Sequence, residues 1–335
     1  MLEKPDLKDE IIINCLEDEF GFSIAKLSFL PLGADMNTAV YRAAASEKRV
    51  YFVKLRRNDF NKTSVTVPNF LRDSGIKQVI PSLTTQTGKH WASLSPFKVI
   101  LYPFVEGHNG FEQKLSNAQW SEFGKALKQF HSTHIPLSLT NGINKDNFSP
   151  RWRNTVKIFL ERIEKEIFHE PIANELANFL RTKKDETLDL VRRTEQLAQK
   201  LRKQQPEFIL CHADIHGWNL LIDKNGALYM VDWDTLIFAP KERDLMFIGG
   251  GLGNSGYTPQ QEETMFYQGY GQTNINQTAL AYYRCERIVE DLAVYCQQIF
   301  SSDEGDEDRK ESLKNLKLNF QPNGTMQIAY QSTSL

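Results

Sequence analysis

The sequence predicts an α+β chain of two lobes, a small β-rich one over residues 1–103 and a larger helical one over 104–335, with a cleft between them. Three observations predict it. Short runs of β-branched and aromatic residues crowd the first hundred positions. Helical spacing dominates from about residue 116. A dense group of polar residues, "CHADIHGWNLLID" (211–223) and "VDWD" (231–234), sits among short apolar runs, as expected of buried strands holding chemistry at a mouth.

Taken in order, "DEIIINCLEDEF" (9–20) has the apolar spacing of an amphipathic helix. "AKLSFLPLG", "TAVYRAAA" and "RVYFVKLRR" then predict consecutive antiparallel strands joined by turns. "VPNFLRDSGI" predicts a short helix with Pro68 near its start and Gly75 at its end. "HWASLSPFKVILYPFVEG" predicts two further strands ending at Gly107, and "YPFVEG" (102–107) links the lobes. Helices follow over "SNAQWSEFGKALKQFHSTH" and "PRWRNTVKIFLERIEKEIF", then one long charged helix from about 172 to 204. Residues 207–234 return to strand, loop and strand, and helices resume from 259. "DEGDED" (303–308) reads as a solvated loop.

Of the 335 residues 41% are hydrophobic and 24% charged, with a net charge of −2, which gives no reason to expect nucleic acid as a partner. The charge is uneven. Residues 211–308 hold 16 acidic against 5 basic side chains, which hints at a cationic small molecule. The four cysteines have no CxxC spacing, and no apolar run approaches membrane-spanning length, so a soluble, cytoplasmic monomer is expected.

His212, Asp214 and Asn219 fall in the spacing H-x-D-x-x-x-x-N, and Asp232 follows after a short strand. Kinase-type phosphoryl transfer uses this pattern. An aspartate beside a hydroxyl accepts its proton, while an asparagine oxygen and a second carboxylate suit Mg²⁺, which prefers hard oxygen ligands. His212 and His216 are four apart, but without HExxH and in a loop they make a poor zinc pair. Lys54 in "YFVKL" sits near a strand end where an amine reaches phosphates, and the turn at 32–38, with Gly33, would cover them. "GGGLG" (249–253) lacks the Lys-Ser/Thr of a phosphate loop and reads as a mobile loop.

"HADIHGWN" and "VDWD" resemble the catalytic loop and metal segment of the aminoglycoside phosphotransferases, which share the protein-kinase-like fold. "FLRDSGIK", "APKERDLMFIGGG", "FYQGYG" and "RIVEDLAVY" extend the resemblance to the spectinomycin-phosphorylating branch of that family. The resemblance implies ATP, with GTP not excluded, in the cleft between the lobes, and Mg²⁺ as cofactor. It implies Asp214 as base, Asn219 and Asp232 as metal ligands and Lys54 as the phosphate lysine. Tyr102, Pro103 and Phe104 would form the hinge against the adenine, and Asp244 would brace the catalytic loop. His216 and Asp234 join Asp214 on the substrate side; Asp234 replaces the glycine of the protein-kinase D-F-G.

The chain departs from the kinase pattern in one respect. No glutamate lies between Lys54 and Glu106 to pair with the lysine; only Asp59 and Asp73 do. In "YYRCERIVEDLAVY", Glu286 and Asp291 lie at helical spacings that permit either ion pairing or contact with substrate amines. Three functions remain open: a spectinomycin kinase, a kinase of choline or an amino sugar with Trp218 and Trp233 at the pocket, and a non-catalytic nucleotide-binding module.

Overall fold

The computed structural model describes residues 2–33, 35, 37–57, 60–250, 256–301, 305–322 and 324–331. In chain order the elements are α1 (Asp9–Phe20), β1 (Ile24–Leu30), β2 (Thr38–Ala45), β3 (Val50–Arg57), α2 (Thr63–Asp73), β4 (Ala92–Leu94), β5 (Phe97–Pro103), β6 (Gly107–Asn109), α3 (Asn117–Ser132) and α4 (Leu137–Thr140). There follow α5 (Arg151–Lys165), α6 (Pro171–Thr182), α7 (Lys184–Gln204), β7 (Ile209–Cys211), β8 (Leu220–Asp223), β9 (Leu228–Met230), β10 (Ile237–Ala239), α8 (Glu242–Leu245), α9 (Pro259–Tyr270), α10 (Gln277–Phe300), α11 (Asp306–Leu318) and α12 (Thr325–Gln331). The chain is α+β, with a β-sheet lobe and a helical lobe.

The first five strands form one antiparallel sheet in the order β1-β2-β3-β5-β4. Strand alternation puts Tyr51, Val53 and Leu55 of β3 on one face, where they join Ile12, Leu16 and Phe20 of α1 in a buried core. α1 starts with Asp9 and Glu10 against its dipole and stops at Gly21, whose φ of 77° gives the left-handed cap. The opposite face of β3 carries Phe52, Lys54 and Arg56. β6 pairs with β8, and β8 with β9. Gly107 permits this, because a Cβ there would lie 1.9 Å from the Ile222 carbonyl oxygen.

Compact units do not divide at 103/104. One comprises Met1–Ile143, Asp214–Leu236 and Met265–Gly271; the other comprises Asn144–Ala213, Ile237–Thr264 and Gln272–Leu335. The β6–β8 ladder explains the difference, since it binds the segment after residue 103 to the hairpin of 220–230. The second unit is built around α10, which buries residues from Ala279 to Phe300 against α5, α6, α7, α11 and α12. A helix apolar on most of its circumference belongs inside.

Several local expectations change. Pro68 lies inside α2, not near its start, where it removes one helical donor. Residues 172–204 form two helices separated at Lys183, whose N–H is shared between Phe179 and Leu180, with Asp185 and Glu186 favouring a new start. Gly107 opens a third strand instead of ending the second. Asp306, Glu307 and Asp308 open α11, with Asp308 buried, so this half of "DEGDED" is helix. The glycine run continues into 251–253 and the acidic run begins at 303–304; both stretches, like Asp59, lie outside the described residues. No helix among the described residues is long and apolar enough to cross a membrane.

Candidate active site

Lys54, Asp214, Asn219, Asp232 and Asp234 all belong to the first compact unit. β3 delivers Lys54 opposite Val40 and Ile100, on the face away from the α1 core. The side chain is 9% exposed, and its Nζ lies 2.8 Å from both Asp232 Oδ1 and Asp234 Oδ2. Burial disfavours the ammonium, but the two carboxylates outweigh it and hold the pKa above that of an ordinary lysine. These carboxylates answer the absence of a helix glutamate. Lys54 is steadied by the segment that follows β9, 178 residues away.

The hairpin of β8 and β9 sets that segment. Val231 N–H donates to the Asn219 carbonyl at 3.0 Å, so the residue before Asp232 is tied to the residue before β8. Asp232 then takes a left-handed backbone, φ 63°, and Trp233 turns inward, its indole N–H donating to Met230 O at 3.1 Å. A left-handed aspartate needs its surroundings to hold it, and such strain concentrates at functional sites. Ala213, just before Asp214, is a second case with φ 67°. Within its own unit the fully buried Asp244 accepts from the N–H of His212 at 2.9 Å and of Ala213 at 2.6 Å.

Asp214 and Asn219 meet. Asn219 Nδ2 donates to Asp214 O at 2.7 Å and to its Oδ2 at 3.3 Å, and His216 Nε2 lies 3.5 Å from the same carboxylate oxygen. His216 also caps the short turn Gly217–Asn219 by accepting from Trp218 N–H at 3.3 Å. With its nitrogen engaged by Asp214, Asn219 has its amide oxygen as the atom that would hold a cation. That donor and the 48%-exposed Asp232 carboxylate are hard oxygens, and they fit Mg²⁺.

The remaining expected residues are placed as follows. Gly33 has φ 83°, with nothing within 4 Å of where a Cβ would stand. Tyr102 pairs with Phe52 and shares the Lys54 face; its hydroxyl is raised in pKa by burial, which Lys54 opposes. Pro103 is exposed, and Phe104 N–H donates to Val50 O at 3.1 Å. Asp234, expected on the substrate side, lies 2.8 Å from Lys54 Nζ and 3.6 Å from Arg56 Nη1. Glu286 and Asp291 belong to the other compact unit. Glu286 is 7% exposed and is the counter-ion of buried Arg153, and Asp291 pairs with Arg287 at 3.2 Å. Trp233 and Tyr270 are core residues, 5% and 2% exposed, while Trp218 is open at 51% and stacks on Phe111.

Sequence reasoning missed Arg56 and Asp35. The guanidinium of Arg56 bonds the Asp35 carboxylate and also Thr38 Oγ1, at 2.6 Å. One signal was available: Arg56 stands two residues after Lys54, so a strand must put both on one face.

Residues 28–284 match the phosphotransferase enzyme family. The chain is 37% identical to a spectinomycin phosphotransferase solved with ADP and spectinomycin, covering 99% of this chain and 100% of that one, with a TM-score of 0.91. An AMP-bound complex of spectinomycin phosphotransferase gives 36% identity, 97% and 98% coverage and a TM-score of 0.85. A choline kinase from Streptococcus pneumoniae, 17% identical over 92% of this chain and 98% of its own, has a TM-score of 0.55, a likeness of fold alone. The chain belongs to the phosphotransferase enzyme family and is a kinase with an alcohol group as acceptor.

Proposed function

We propose that the chain transfers the γ-phosphoryl group of ATP to a hydroxyl of a cationic aminocyclitol, spectinomycin. The observation that carries this reading is the 37% identity, over 99% of the chain, to a spectinomycin phosphotransferase that holds ADP and spectinomycin. The site supports it residue by residue. Asp214 accepts the proton of the attacking hydroxyl, with Asn219 fixing its carboxylate. Lys54 meets the phosphates, and the 32–38 turn with Gly33 covers them. Tyr102, Pro103 and Phe104 form the adenine side. Asn219 and Asp232 hold Mg²⁺, which neutralises phosphate charge when bound. His216, 3.5 Å from Asp214, stands on the acceptor side.

Phosphoryl transfer asks little covalent chemistry of a protein, so positioning and charge placement dominate. The Lys54 cluster meets that need without a helix glutamate, which removes the motive for a non-catalytic module. Four buried cysteines, all free thiols, suit the reducing cytoplasm, where we place a monomer.

The test is incubation of purified protein with ATP, Mg²⁺ and, separately, spectinomycin, kanamycin or choline, with products weighed by mass spectrometry. Spectinomycin should gain one phosphoryl group. Multi-ring aminoglycosides should be at least about 10²-fold worse in kcat/KM, or roughly 2.7 kcal/mol of differential transition-state binding. Equal use of kanamycin or choline would leave the kinase and remove the spectinomycin assignment.

A further inference from the structure

Arg56 carries a function that the motifs do not assign. It lies on β3 opposite Thr38, the first residue of β2, and its side chain is 20% exposed. One nitrogen, Nη1, faces three oxygens: the Asp35 carboxylate, Thr38 Oγ1 at 2.6 Å and Asp234 Oδ2 at 3.6 Å. Asp35 is itself the organiser of its turn. Its Oδ1 accepts from Asn37 N–H at 2.8 Å, its Oδ2 from Thr38 Oγ1 at 2.9 Å, and its carbonyl from Thr38 N–H at 3.1 Å. Burial raises the Asp35 carboxyl, and Arg56 with these donors more than reverses that, so its pKa falls below the ordinary carboxylate value.

We propose that Arg56 is a positioning residue for phosphoryl transfer, fastening the turn at Asp35–Thr38 to the Lys54–Asp234 pair. The proposal rests on the reading of Lys54 and the 32–38 turn as the phosphate site. A turn with a left-handed glycine has several conformations of similar energy, and a guanidinium nitrogen held by a carboxylate and a hydroxyl selects one. Through Asp234 the same guanidinium limits how far that carboxylate draws Lys54 aside. Nucleotide then meets a turn already in place, so less ordering is lost on binding. Lysine keeps the charge but carries it on a stem one atom shorter and more mobile, so it restores these contacts only in part.

The experiment measures ADP affinity by calorimetry with Mg²⁺ present, and steady-state kinetics with both substrates, for Arg56→Gln, Arg56→Lys, Asp35→Asn, the double variant Arg56→Gln/Asp35→Asn, and Lys54→Ala. Arg56→Gln and Asp35→Asn should each weaken ADP about tenfold, with the double variant no worse than the weaker single, as coupled residues require. KM for ATP should rise while KM for the acceptor holds, and Arg56→Lys should recover only part of the loss. A purely structural arginine would lower the melting point without this split. ADP affinity within twofold of wild type in Arg56→Gln, while Lys54→Ala binds weakly, overturns the proposal alone. Additive losses in the double variant also overturn it, since Arg56 would then act without the turn. Should Arg56→Gln fail to fold, Asp35→Asn on its half-open turn carries the test, and normal ADP binding there is equally fatal. If Lys54→Ala binds ADP normally, the phosphate-site reading falls as well.

Discussion

Two clusters in this molecule have the same composition and opposite circumstances. In one, Lys54 lies between Asp232 and Asp234; in the other, Arg153 lies between Glu195 and Glu286. Each is a buried cation with two carboxylates. Arg153 is fully enclosed, and its remaining donors go to the carbonyls of Phe148 and Ser149 at 3.0 and 2.9 Å. No part of it is open to solvent or to a ligand. The Lys54 cluster opens outward through Asp232, whose carboxylate is 48% exposed. A planar fork held by fixed, enclosed partners makes a bracket; on the function proposed above, the point charge with one partner facing outward is the site. Accessibility, more than the inventory of charges, separates structure from function here.

The comparison breaks most visibly at Asp214 if the open cluster is not catalytic. Asp214→Asn should lower turnover by roughly 10²–10⁴, the usual range for a lost general base, while ADP affinity stays close to wild type. Turnover within a few-fold of wild type, measured by coupled ADP release, would remove this carboxylate from the chemistry.

On the closed cluster the expected loss is of stability. Glu286→Ala should cost about 3–5 kcal/mol in urea unfolding at pH 8, where the carboxyl is ionised, because it strands half the charge compensation of a fully buried arginine. ADP binding by the folded fraction should not change. If the folded variant lost nucleotide affinity instead, the division between bracket and site would be wrong.

Lys54→Ala sharpens the contrast from the other side. It should raise KM for ATP by about tenfold or more, and cost less stability than Glu286→Ala, since Asp232 turns readily to water and Asp234 keeps Arg56. A large drop in melting point with normal KM would make Lys54 a second bracket.

How much of this was legible in the sequence depends on the distance between partners. The spacing of Asp214, Asn219 and Asp232 is readable because one turn and one hairpin carry all three. The strand alternation of 50–57 is readable because one face is core and the other is not. The partners of Lys54 are not readable, because the ion pair joins β3 to a segment 178 residues on, and no local pattern encodes it. The same holds for Glu286: the i,i+4 pair Arg287–Asp291 lies within one helix, but Arg153 reaches Glu286 across 133 residues. The break at Lys183 was hidden for a different reason. Apolar residues recur helically on both sides of it, so periodicity alone does not mark the stop.

The smallest effect concerns pH, and it tests how closed the Arg153 cluster is. Burial pushes the Glu286 carboxyl up to about 7, with Arg153 opposing and Glu290 and Asp146 adding to the rise. A carboxyl raised in the folded state favours folding fully below its ordinary value of 4.5, and that contribution is lost as pH climbs through about 7. Wild type should therefore lose stability relative to Glu286→Gln between these values, by at most about 1.4 kcal/mol per pH unit, since glutamine keeps the shape without titrating. Urea unfolding of both proteins at pH 5, 6, 7 and 8 measures the difference directly. A flat difference would mean that Arg153 compensates the burial completely and Glu286 is ionised throughout. A slope that continues above pH 7.5 would point to another group.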